Sequence, residues 1–335
     1  MSTLSTGALT LLDWAKGLDP SGHTADTVEL LNQTNEVLDD MQWVEGNLPI
    51  GHLTTVRTGL PSVAWRLMNA GVTPSKSTKA QITESCGMLE AWSEVDVELA
   101  QLNGDVKKFR HSEALSFIEA MNQEFVGTLF YGNSGTAPQE FTGLAPRYAS
   151  TSAGNGANII SGGGSDSDLS SIWLINWGDG KVKGIFPKGS KAGISNDDFG
   201  QETAETTAGI GGTRLRVYRE RFVWKAGIAL EDWRQVVRIA NIDISNLVAK
   251  SSAADLIELM IKAIWRIPQG SLKSGSPAFY MNRSCGQMLD IQRRDDVISG
   301  GGLTYETVDG KMVKKFRGIP IRIVDQLTQA ESAIS

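Results

Sequence analysis

Two cysteines in 335 residues, Cys86 and Cys285, are too few for a disulfide framework, and neither stands in a Cys-x-x-Cys pair. The chain reads as one that folds under reducing conditions. Its three histidines, His23, His52 and His111, show no metal-ligand spacing, which speaks against a zinc site. No apolar run approaches the roughly 20 residues needed to span a bilayer, so no membrane association is expected. The opening Met1-Ser-Thr-Leu-Ser-Thr lacks the basic-then-apolar order of a signal peptide, and the expectation is a soluble protein made in the cytoplasm. A basic excess is also missing. Thirty-two Lys and Arg against 38 Asp and Glu give −6, a poor balance for a dedicated nucleic-acid binder, whose affinity comes from neutralising phosphates.

Catalytic motifs are scarce too. There is no Gly-x-Ser-x-Gly elbow, and the run Ser161-Gly-Gly-Gly-Ser165 lacks the Gly-Lys-Ser/Thr ending of a phosphate loop, so it reads as a mobile loop. Carboxylates are plentiful, but none is singled out as an acid/base pair. The doublets Asp39-Asp40, Asp197-Asp198 and Asp295-Asp296 read as solvated turn or helix-end residues. The tryptophans are scattered, as core or contact anchors would be, rather than gathered into a base-stacking platform. No catalytic, metal or cofactor-binding residue is expected.

What the chain does have is a 41% hydrophobic composition, enough for a real core, and a segregated charge pattern. Residues 1–45 carry one base, Lys16, and eight acids, a balance of −7. Residues 214–238 carry seven bases and three acids, a balance of +4. Separate segments of opposite sign suit complementary contacts within or between copies, although ordinary solvated faces would look alike. The first 42 residues read as an arm with two short helical patterns, 8–18 and 25–39, neither stable alone. From Trp43 to Asp96, Pro and Gly punctuate strand-like runs at 52–57, 62–66 and 78–90, a projecting β-hairpin whose exposed edges another chain should cover. A long helix follows from Ser112, its N-cap, to Phe130. Residues 150–168 read as a linker. Strands are expected at 171–177, 181–186, 214–230 and 318–325, helices at 254–267 and from 284, and a hairpin about Asp309-Gly310.

This order of parts, with the runs Leu31–Glu36, Trp43–Pro49, Thr55–Pro61, Phe130–Asn133, Phe186–Gly193 and Asp232–Asp243, resembles the major capsid proteins of tailed double-stranded DNA phages. Among these it is most similar to those of epsilon15-like short-tailed phages. The resemblance implies an α+β chain with the Hong Kong 97 type fold. It places an N-arm at 1–42, an extended E-loop at 43–96 and a P-domain with its spine helix at 97–135. An A-domain would take 136–310, and a C-terminal return strand, 311–335, would rejoin the P-domain. It implies a non-enzymatic shell protein forming hexamers and pentamers around packaged double-stranded DNA, without sequence-specific binding. The implied partners are a portal protein, a scaffolding function and a possible small exterior decoration protein. The site would be the virion capsid, assembled in the bacterial host cytoplasm.

Candidate intersubunit contacts are Trp43, Arg57, Arg66, Arg214, Arg216, Arg219 and Arg221. The last four are expected to meet Asp or Glu of the same or an adjacent copy. Rival readings are an encapsulin-type compartment of the same fold, distinguished by the genes beside it, and a hydrolase with hidden carboxylates, distinguished by turnover from a monomer. A tail or baseplate protein would instead form rings or tubes.

Overall fold

The computed structural model describes residues 33, 35–102, 105–205, 214–295, 303–308 and 311–335. In chain order, α1 (Val37–Asp40) and β1 (Trp43–Glu45) precede a strand pair, β2 (Gly51–Gly59) and β3 (Thr78–Ser85). Next come β4 (Gly87–Asp96), α2 (Val97–Gln101) and the long α3 (Val106–Tyr131). Strands β5 (Ile159–Ser161), β6 (Leu169–Trp177), β7 (Val182–Phe186), β8 (Ile194–Glu205), β9 (Arg214–Leu230) and β10 (Val236–Asp243) follow. The remainder is α4 (Ile244–Ala249), α5 (Leu256–Arg266), α6 (Gln269–Leu272), β11 (Ser276–Met281), α7 (Arg283–Asp295), β12 (Leu303–Val308), β13 (Lys311–Phe316) and β14 (Ile319–Ile323). The chain divides into two compact units. One contains Met88–Val126 and Gly193–Lys225; the other contains Asn35–Gly87, Gly127–Ala192 and Ala226–Ser335.

The larger unit is built around β6, every residue of which is buried. A strand covered on both faces needs a nearly continuous apolar run, and Ile172-Trp-Leu-Ile175 supplies it. β6 pairs antiparallel with both β10 and β11, β14 lies parallel to β11, and β13 and β12 extend the sheet. α5 covers this sheet with Leu256, Leu259, Met260, Ala263 and Ile264, spaced by three and four. Asp255 caps it by accepting from the Glu258 N–H at 3.0 Å, so it starts two residues later than expected, and Pro268 follows its end.

The smaller unit packs the first five turns or so of α3 against β4, β8 and the N-terminal part of β9. Val95, Ala100 and Phe109 form its small core, and Phe125 stacks on Trp224 with centroids 4.3 Å apart. β8 and β9 pair antiparallel from Ile194↔Trp224 to Glu205↔Arg214, with one irregularity near Gly200.

Several expectations need correction. α3 begins at Val106 rather than Ser112, because Asp105 accepts the Lys108 N–H at 3.0 Å and supplies the cap. Residues 150–168 are not a linker. β5 pairs with β10, and Gly162 and Gly164 donate to the carbonyls of Ala240 and Asn241 at 2.7 and 2.8 Å, so the Gly-rich run is docked along that strand. Asp40 is no solvated turn residue: its carboxylate accepts from Tyr280 Oη at 2.8 Å and from Arg322 at 2.9 Å. The 8–18 helix lies outside the described residues, and of the 25–39 pattern they include only α1, which begins at Val37. No helix among the described residues is long and apolar enough to cross a membrane.

Candidate functional site

β2 and β3 pair antiparallel from Gly51↔Ser85 to Gly59↔Thr78, with a register shift beyond Arg57. Between them, residues 60–77 form no strand; Pro61, Gly71 and Pro74 explain why the expected strand at 62–66 does not form. This tip is both apolar and bare. Leu60, Val63, Leu67 and Met68 are at least 80% exposed and Trp65 is completely so. Arg57 and Arg66 are exposed as well. From Gly46 to Thr83 the sequence contains no Asp or Glu, while Arg57, Arg66, Lys76 and Lys79 give it four positive charges. The feature is therefore an arm that is greasy at its tip and basic along its length.

Charge contacts fasten the root of this arm. On β3, Glu84 is nearly buried and receives Arg147 through two bonds of 2.6 Å; Arg147 also donates to the carbonyls of Gly143 and Thr142. A second cluster joins β2 to the end of β9 and to β7. Glu231 Oε1 lies 3.0 Å from Lys183 Nζ and 3.3 Å from His52 Nε2. Gly51 marks the tight point of the root, since a Cβ there would lie 1.9 Å from the Glu84 carbonyl oxygen. Trp43 sits in β1, paired with Gly184 of β7, and its indole covers that glycine so closely that a Cβ would come within 2.8 Å of the ring. Trp43 thus makes contacts inside its own chain.

The arginine row of β9 divides in two. Arg214 and Arg216 stand opposite Glu205 and Thr203 in the register, with exposed side chains. Arg219 pairs with Glu94 at 2.7 Å and Glu202 at 2.6 Å, and Arg221 pairs with Glu90 at 2.8 Å. Both guanidiniums lie within 6 Å of the Trp92 ring centroid, and Trp92 stacks on Phe199. The hydrogen bond from Arg221, joined by one from Trp92, holds the Glu90 carboxyl below its ordinary range. These acids belong to the same chain.

Carboxylates that could have served chemistry are engaged in architecture. Asp243 caps α4 by accepting from the Asn246 N–H at 2.7 Å, and the neighbouring Asp168 accepts from the Ser245 N–H at 2.8 Å. With Asp166, which shares a side-chain hydrogen bond with Asp243, they form an acidic trio beside the start of α4. Buried Glu331 is bound by Arg238, Tyr131 and Ser171.

The site is thus an exposed apolar arm with a fastened root. The family model described as major capsid protein GP7 matches residues 19–335. The chain belongs to that family. A chain of the bacteriophage Epsilon15 structure is similar over 100% of this chain and 99% of its own, at 30% identity and a TM-score of 0.79. A Mycobacterium phage Adephagia chain matches 69% of this chain and 97% of its own at 12% identity and a TM-score of 0.43. An encapsulin of Synechococcus elongatus matches 70% of this chain and 96% of its own at 10% and 0.44. No curated protein matches. The fold is that of the Hong Kong 97 type capsid proteins, and this major capsid protein is a structural component of a phage shell, not an enzyme.

Sequence reasoning found the arm but missed what fastens it. The pairs Glu84–Arg147 and His52–Glu231 join residues too distant in the chain for any spacing rule. The missing acids between Gly46 and Thr83 were a readable signal.

Proposed function

We propose that this major capsid protein closes into hexamers and pentamers of an icosahedral shell around double-stranded phage DNA, with the hairpin of each copy lying across a neighbour. The observation that carries the reading is the exposed apolar tip on an acid-free, basic arm. A two-stranded ribbon gains little from such a tip by itself, and a surface of this kind marks a place of association. Arg57 and Arg66 then meet acids of the receiving copy, and Arg214 and Arg216, both exposed on β9, are assigned the same role.

We assign the N-arm to 1–42, the E-loop to 43–96, the P-domain with its spine helix to 97–135, the A-domain to 136–310 and the C-terminal return strand to 311–335; the compact unit containing Met88–Val126 and Gly193–Lys225 holds most of the spine helix. Portal, scaffolding and exterior decoration proteins are the remaining partners, and assembly occurs in the host cytoplasm. DNA is enclosed without sequence-specific contacts.

The test is the triple change Trp65→Ser, Leu67→Ser and Met68→Ser, which touches no core residue. Electron microscopy should show capsomers that fail to close, whereas shells at wild-type yield would refute the reading.

A further inference from the structure

We propose that His52, Glu231, Lys183 and Asp179 form a proton-sensitive latch at the root of the hairpin. His52 is the second residue of β2, and Glu231 follows the last residue of β9. Lys183 lies in β7, and Asp179 in the turn before it. A single oxygen, Glu231 Oε1, is shared by Lys183 Nζ at 3.0 Å, His52 Nε2 at 3.3 Å and, more distantly, Thr54 Oγ1 at 3.5 Å. Lys183 divides its charge with Asp179 Oδ1 at 2.9 Å. The side chains of His52, Glu231 and Lys183 are 14%, 12% and 5% exposed, so water screens these three little, whereas Asp179 is 83% exposed and its charge is well screened.

The charges around the imidazole set the direction. With His52 neutral, two carboxylates face one ammonium and the cluster carries one net negative charge. Protonating His52 brings it to zero. Across the ribbon, Glu84 stands opposite His52 in the register, but Arg147 already neutralises it through two bonds. The other nitrogen, Nδ1, is buried with no hydrogen-bond partner among the described residues, so Glu231 is the polar anchor of the ring. Protonation turns that anchor from a neutral N–H on a carboxylate into an ion pair. Two effects oppose it: repulsion from Lys183, which its second carboxylate reduces, and the buried Nδ1–H that protonation creates. The change is therefore moderate. The root of β2 is held more firmly with His52 protonated than with it neutral.

The inference takes from the proposed function only the meaning of the arm, and its test needs no assembly. Hydrogen exchange of residues 51–57 and 79–85 is measured on the unassembled full chain from about pH 5 to about pH 8 and corrected for the intrinsic rate. Protection at these amides should fall about fivefold across that range, about 1 kcal/mol, the upper end for an ion pair whose gain other groups oppose, with the core strand 169–177 unchanged. His52→Gln and Glu231→Gln should abolish the dependence. Constant wild-type protection, or an undiminished pH response in His52→Gln, would overturn the latch. If Glu231→Gln does not fold, wild type and His52→Gln still decide. Failure of the shell reading would appear separately, as wild-type chain that never closes into particles.

Discussion

Replacing Glu331 by Gln isolates one buried charge with almost no change of shape. The Glu331 and Arg238 side chains are each 5% exposed and meet at 2.8 Å. Tyr131 Oη donates to the same carboxylate at 2.6 Å, and the Ser171 hydroxyl donates as well. Burial, and then the negative charge of Glu331, pushes the Tyr131 phenol far above its ordinary range. Gln keeps an acceptor for Tyr131 but strands the guanidinium. Arg238 would retain Ser171 at 3.0 Å and the Tyr148 carbonyl at 2.9 Å, neither of which carries a balancing charge. Breaking a buried pair from one side costs about 3 to 5 kcal/mol, whereas removing both charges together costs far less. Guanidinium unfolding of the unassembled chain, followed by fluorescence and circular dichroism with coincident transitions, should therefore show a loss of about 3 kcal/mol for Glu331→Gln. The double change Arg238→Met with Glu331→Leu should lose less than the two single changes combined. A loss below about 1 kcal/mol for Glu331→Gln, or full additivity in the double change, would refute this account. Because Glu331 also bridges to Leu169 through its backbone at 2.9 Å, the variant should expose residues 324–335 to protease first.

Three further outcomes follow from the charges. Boiled shells in a denaturing gel should give one band at 36.2 kDa; the arm's two lysines stand at its far end, Lys76 in the tip segment and Lys79 opposite Arg57, so a ladder of multiples would show covalent linkage there. The Glu90–Arg221 contact holds the Glu90 carboxyl low, so its contribution is complete above the ordinary glutamate range and disappears as pH falls through the lowered value; exchange at 88–96 should rise in acid for wild type and be raised already at pH 7 in Glu90→Gln. Free capsomers should bind linear duplex more weakly than micromolar at about 150 mM salt, since Arg219 and Arg221 are neutralised within the chain; sub-micromolar binding with a steep salt slope, lost on changing the β9 arginines to Gln, would contradict it.

The parts legible in the sequence were those whose local pattern and tertiary environment agree. β6 announces itself as an apolar run, α5 as a three-four repeat ending at Pro268, and the strands flanking Asp309-Gly310 as a hairpin. β8 was missed because Asp197, Asp198 and Gly200 are poor strand formers; its partner β9 and ion pairs such as Arg221–Glu90 support the sheet it joins. β11 is short and carries Pro277, which pattern reading counts against a strand. The stretch 150–168 has a linker's composition, yet small residues suit it to lie close along β10, as Gly162 and Gly164 do. In each case tertiary partners overrode local preference.

The exposed tip also explains why assembly must be collective. Leu60, Val63, Trp65, Leu67 and Met68 take no part in the core of their own chain. Burying them on a neighbour would yield about 1.5 to 3 kcal/mol each, or about 8 to 15 kcal/mol for one arm. Association of two bodies costs about 4 to 15 kcal/mol in lost freedom, before the arm's own ordering is counted. One arm on one neighbour is thus close to break-even. In the ring proposed above every copy would both give and receive an arm, and the last contact would form at high effective concentration without a new loss of translational freedom. On that proposal a tip that holds two copies only weakly would hold a closed ring firmly. A chain with this arm should pass from free capsomers to closed shells over a narrow range of concentration.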